Sequence, residues 1–102
     1  MATFFHNITT VLTKDLLAAG DNINNVKSIT LANVDSSNDA KVDLFLNKGD
    51  DNFYILKEVL IPRGSTLVLG PEDNISFNGY SMRTQVDDGS TTAVNVDVII
   101  KR

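Results

Sequence analysis

The stretch VLIPRGSTLVLGPED, residues 59–73, is an apolar, β-rich run cut twice by proline. Val59 to Ile61 reads as the end of a strand. Pro62 fixes φ and removes a backbone donor, so strand pairing stops there. Ile61-Pro62-Arg63-Gly64 fits a type I turn, with proline at the second position and glycine at the fourth. Thr66 to Leu69 reads as a second, very short strand, with Leu67 and Leu69 inward and Thr66 and Val68 outward. Gly70-Pro71-Glu72-Asp73 turns the chain again. A short strand between two rigid turns predicts a crossing at which the chain changes sheets.

The same grammar extends outward in both directions. Phe4 to Thr13 carries Thr, Ile and Val and predicts a first strand. VKSITLANV (26–34) sets Ile29 and Leu31 on one face, and KVDLFLN (41–47) does the same with Val42, Leu44 and Leu46. The DSSNDA turn between them predicts a hairpin. After the KGDDN turn comes NFYILKEVLIP (52–62), where Phe53, Ile55, Val59 and Ile61 share a parity that Lys57 breaks. A bulge or exposed edge near Lys57 and Glu58 is expected. Asn78-Gly79 within NISFNGYSMRTQV is a hairpin signal or, alternatively, a glycine bulge in one longer strand, and Asp87-Asp88-Gly89-Ser90 is a second turn signal. The final run alternates Val94, Val96, Val98 and Ile100 with Asn95, Asp97, Ile99 and Lys101. Only LTKDLLAAGDN has helical features: Thr13 as a cap, Leu16-Leu17 as a patch and Gly20 as a stop. A one- or two-turn helix and an irregular loop are equal readings of it. About seven to eight short strands with turns every ~8–12 residues predict an all-β, antiparallel sandwich, Ig-like or jelly-roll.

Composition narrows the function classes. The chain has 102 residues, 42% of them hydrophobic, which suits one domain with one core. Residues 1–12 are read either as the first strand of that sandwich or as an extended arm reaching a neighbour. Having no cysteine excludes disulfides, thiolate metal sites and cysteine catalysis. The net charge is −4 and the basic residues are scattered singly apart from Lys101-Arg102, which argues against nucleic acid as a partner. No apolar run approaches the ~20 residues of a membrane span, and MATFFHNITT does not read as a signal peptide.

The residues offer little chemistry. His6 is the only histidine and stands beside Phe4 and Phe5, so packing outweighs catalysis or metal binding. Nucleophile, phosphate-loop and zinc motifs are missing from the chain. Asp35, Asp39, Asp50, Asp51, Asp87 and Asp88 all fall in turns. Local hydrogen bonding explains aspartate there better than calcium, which needs ~6–8 oxygen ligands. No catalytic residue, cofactor or metal is therefore expected. Phe45 and Tyr54 sit at polar-side positions of their strands and read as covered, by the N-terminal segment or a neighbouring subunit, rather than as an exposed patch.

The order of elements is informative beyond composition. SITLANV, the polar turn DSSNDA, KVDLFLN, the Ile-Pro-x-Gly turn of IPRGSTLVL, NISFNGYSMRTQ and the valine-alternating VNVDVIIKR succeed one another over residues 26–102. This pattern resembles small β-sandwich virion structural proteins of tailed bacteriophages. The resemblance implies a non-enzymatic capsid decoration or cement protein that binds the major capsid protein or other virion proteins. It also implies a homo-oligomer, with a trimer among the options, and a place in the virion rather than secretion. A tail, neck or fibre module touching host glycan is the alternative. Contacts with a neighbour are expected at Phe4, Phe5 and Ile8 in the N-terminal segment and at Arg63, Asp87 and Asp88 in turn tips.

Overall fold

In the computed structural model, residues 3–17, 26–70 and 80–101 are described. They form eight strands: β1 (Thr3–Ile8), β2 (Lys14–Leu17), β3 (Ser28–Asn33), β4 (Ala40–Lys48), β5 (Asp51–Ile61), β6 (Thr66–Leu69), β7 (Ser81–Asp87) and β8 (Val96–Lys101). One sheet has the order β1-β8-β3-β6 and the other β2-β7-β4-β5, and every pairing is antiparallel. Successive strands change sheets at every connection except the β4–β5 hairpin. That wiring selects the jelly roll over the Ig-like arrangement.

Alternation builds the core between the two sheets. Ile29 and Leu31 from β3 and Val96, Val98 and Ile100 from β8 face Val42 and Leu44 from β4 and Met82 and Val86 from β7, all fully buried. Each such side chain contributes about 1.5–3 kcal/mol through burial. The quoted stretch crosses sheets as its sequence predicts: β5 belongs to the second sheet and β6 to the first. The turn, however, closes one residue later than the sequence suggests. Ser65 N–H donates to Pro62 C=O at 2.9 Å, and Gly64 takes φ +77° at the third position. Positive φ at that position is the type II pattern, which glycine supplies without strain.

Two further expectations need correction. β3 and β4 do not form a hairpin; they lie in opposite sheets. The connecting loop is tied across the gap instead. Buried Asn33 donates from Nδ2 to Ile61 C=O and Asn38 C=O, both at 3.0 Å, so the end of β3 is fastened to the end of β5. The second correction concerns LTKDLLAAGDN, whose described part is strand β2 rather than a helix or an irregular loop. Asp15 pairs with Arg83 and Leu17 with Met82, leaving Leu16 as an extra residue. This bulge lets two adjacent leucines both bury against the core in extended backbone, where simple alternation would expose one. The rest of that segment and the Asn78-Gly79 and Pro71–Asp73 turns lie outside the described residues.

The bulge anticipated near Lys57 and Glu58 is present. Val42 pairs with Val59 and Leu44 with Leu56, so Lys57 and Glu58 together face Asp43. Glu58 takes φ +53°, the one non-glycine residue with positive φ among those described. Asp43 holds the distortion. Its Oδ1 accepts the Glu58 N–H at 2.7 Å, and its Oδ2 lies 3.8 Å from Lys57 Nζ. A second slip, from Leu44↔Leu56 to Phe45↔Tyr54, bends the strand again around Ile55.

Candidate interaction surfaces

The surface divides into two sheet faces and the loop ends. On the outer face of the first sheet, registers align one row across all four strands. Phe5 pairs with Ile99, Ile99 with Thr30, and Thr30 with Val68. Phe5 is 72% exposed and Val68 58%, while Ile99 and Thr30 between them are half-buried, so this row is a largely apolar stripe with open ends. Beside it runs Asn7–Asp97–Ala32–Thr66. There Asn7 Nδ2 donates to Asp97 Oδ1 at 2.6 Å and to Asn95 Oδ1 at 2.7 Å. An open groove of about 330 Å³ lies along Phe5, Asn7, Asp97 and Ile99. His6 and Val98 complete its lining, and among its walls Asp97 is the one carboxylate.

The outer face of the second sheet is built differently. Phe45 and Tyr54 are directly paired, with ring centroids 5.1 Å apart, and Lys57 Nζ stands 4.4 Å from the Tyr54 centroid. Phe45 is buried to 6% exposure although it lies outside the central core, while Tyr54 remains 45% exposed. Tyr54 is therefore the cover for Phe45, supplied by this chain's own neighbouring strand. Next to them Arg83 Nε meets Asp15 Oδ1 at 2.6 Å. At the end of the hairpin Phe53 packs edge-on to Tyr80, with Lys48 over the Tyr80 ring.

At one end of the sandwich the loops are locked by carboxylates. Asp35 accepts N–H groups from Asn95 (3.1 Å), Asn38 (2.9 Å) and Ser37 (3.1 Å). These donors, Asn95 foremost, hold the Asp35 carboxyl below its ordinary range. Asp88 accepts from the Ser90 hydroxyl and N–H and from Thr92 N–H, and it too is lowered, with the Ser90 hydroxyl the largest cause. Asp35 and Asp88 thus spend lone pairs on loop N–H groups and a serine hydroxyl, and among the described residues no three metal-ligating side chains converge.

The six residues expected to touch a neighbour occupy separate environments. Ile8 is a core residue at 1% exposure, which removes it from any contact surface. Phe4 is half-buried and packs against the core, whereas Phe5 points outward. All three belong to β1, which pairs along its whole length with β8 of its own sheet. Arg63 braces a loop: its N–H donates to Asp39 Oδ1 and its Nη1 to Ser36 C=O. Asp87 accepts the Gly89 N–H and, with Asp88, shapes the β7–β8 turn. The structure therefore separates Phe5 from the turn tips. His6 is half-buried, with its Nε2 enclosed and unpartnered by any described hydrogen bond. The Phe5–Ile99–Thr30–Val68 row was not singled out from sequence, although Val68 and Ile99 both stand at outward positions in their strands.

No family model and no curated protein matches this chain. Among solved structures it is similar to the Yersinia pseudotuberculosis-derived mitogen, at 14% identity and a TM-score of 0.55, covering 98% of this chain and 83% of that one. At that identity the likeness is one of fold.

Proposed function

We infer that this chain is a non-enzymatic virion structural protein of a tailed bacteriophage, a capsid decoration or cement protein that binds the major capsid protein and stabilises the head. It is added to the particle in the host cytoplasm and is not secreted. The observation that supports this reading most is the apolar row of Phe5, Ile99, Thr30 and Val68 across a sheet face, with its two ends well exposed. A broad face with an apolar centre and a polar margin suits contact with another protein. The eight-stranded jelly roll is shared by viral capsid and lectin domains, which adds an analogy at the level of fold. The locked loops serve the same end, because a rigid module transmits load between capsomers. Repetition over many identical sites adds avidity to a modest individual contact.

Undecorated heads mixed with purified protein provide the test. Saturable occupancy is expected, reduced at least about tenfold in affinity by Phe5→Lys or Val68→Lys, which is ~1.4 kcal/mol per site. Full occupancy by both variants would overturn the reading. Deleting residues 1–8 is the poorer probe, since it removes a paired strand and the core residue Ile8.

A second reading, a tail, neck or fibre module touching host glycan, draws on exposed Tyr54 with Lys57 against its ring. Copy number separates the two. Hundreds of copies per particle fit decoration, whereas a dozen or fewer, with glycan-array hits lost on Tyr54→Ala, fit the fibre reading.

A further inference from the structure

The four edges of the two sheets differ in how well they are protected against pairing with other chains. An edge strand turns alternate N–H and C=O groups away from its sheet, and charges, bulges, prolines or shortness normally blunt it. β5 is bulged twice and carries Asp51, Lys57 and Glu58. β2 has four residues, a bulge, and Lys14 and Asp15. β6 has four residues and follows the Pro62 turn directly. β1, Thr-Phe-Phe-His-Asn-Ile, has six residues, none of them Lys, Arg, Asp, Glu or Pro, and its register with β8 runs without a slip.

We propose that β1 pairs antiparallel with β1 of a second copy of this chain, joining two four-stranded sheets into one across a two-fold axis at Phe5. The pleat restricts the choice, because residues facing each other must share a side of the sheet. Centring on Phe5 sets Phe5 against Phe5 of the second copy and Thr3 against its Asn7. The apolar row Val68–Thr30–Ile99–Phe5 then continues unbroken into the same row of the partner. Centring on His6 instead would set exposed Phe5 against Asn7 and end the row on a polar residue.

The charge pattern is compatible with the same register. Lys101 pairs with Thr3, and Asp97 pairs with Asn7. With Phe5 at the centre, Lys101 of one copy and Asp97 of the other fall in one cross-strand row, and symmetry repeats this at the other end. The two charges are separated by several strand spacings of ~4.8 Å, beyond the ~10 Å screening length at ordinary salt. They therefore add little, and the apolar row is what fixes the register. Only about five residues pair on each side, so the contact lies at the small end of interface sizes and the dissociation constant is expected in the micromolar range. The proposal does not depend on the virion reading; it concerns the free chain in solution.

The absence of cysteine makes a clean test possible. Residues directly opposite in an antiparallel pair have Cα atoms roughly 4.5–5.5 Å apart, inside the range a disulfide bridges. Phe5→Cys is expected to form a disulfide-linked dimer rapidly under mild oxidation. Val68→Cys, comparably exposed in the same row at the far edge, is expected to cross-link at least about tenfold more slowly. Sedimentation equilibrium of the unmodified chain should give a monomer–dimer equilibrium, shifted at least about tenfold towards monomer by Phe5→Lys with unchanged thermal unfolding. Equal cross-linking at the two positions, or an unmodified chain that stays monomeric at about 100 µM, would overturn the proposal. A failure here leaves the head-binding test intact, and loss of head binding with dimerisation retained leaves this proposal intact.

Discussion

β1 and β5 are both long strands at the edge of a sheet, yet they manage that position in opposite ways. β5 spends two bulges, a strained Glu58 and three charged residues on making its edge irregular. β1 is regular, without Lys, Arg, Asp or Glu, and continuous with a largely apolar row on the face behind it. Irregularity on one edge and regularity on the other is what a module needs when it meets neighbours on one side only. The two faces differ in the same way: on the second sheet Phe45 is covered by Tyr54 of the neighbouring strand, while Phe5 on the first sheet is left open.

Substitutions that disturb each side differ in size. The largest effect is expected at Gly70, which ends β6 at φ +100°. A Cβ there would run into the backbone carbonyl of Lys27, which neither partner moves cheaply. Gly70→Ala should cost about 3 kcal/mol or more in chemical denaturation. A loss under ~1 kcal/mol would mean that β6 is not held where the pairing with β3 places it. Asn33→Ala should cost about 2 kcal/mol, because it strands the buried Ile61 carbonyl and the part-buried Asp35 N–H.

Asp35 gives a pH-dependent test. Its carboxyl is lowered when folded, so its contribution is complete above the ordinary carboxylate value of 3.8 and is lost as pH falls through the lower folded value. Asp35→Asn should therefore lower the melting temperature at neutral pH and flatten its fall below about pH 4. An unchanged acid limb would assign the acid sensitivity to other groups, Asp88 first. The smallest change is expected at the bulge. Glu58→Gly relieves the left-handed backbone at the cost of unfolded-state entropy, for a net gain of up to about 0.5 kcal/mol. A loss there would show that the Lys41 contact at 3.7 Å outweighs the strain.

Much of the fold was legible because alternation carries it. Val94 to Ile100 and Ile29 to Leu31 declare their buried faces residue by residue, and Pro62 marks the sheet change. What the sequence hid was set by long-range pairing. Leu16-Leu17 mimics a helical patch because the bulge that buries both is created by β7, far away in the chain. DSSNDA looks like a hairpin turn because the Asn33 bonds that turn it into a crossing reach Ile61. The candidate surface was half visible: Phe5 is apolar near a chain end, but its alignment with Ile99, Thr30 and Val68 exists only once four separate strands are in register. Arg63 and Asp87-Asp88 look like tips free to meet a partner. Their hydrogen bonds also hold loops of the same chain, a role set for Arg63 by residues far from it in sequence.

The central claim, that the regular edge is the working edge, is tested most directly by residue-level amide exchange at two protein concentrations. The account predicts that raising the concentration from about 1 µM to about 500 µM, across the micromolar range expected for so small an interface, slows exchange in β1 and leaves β5 and β6 unchanged. Slowing confined to β5 or β6, or no concentration dependence in β1, would contradict it.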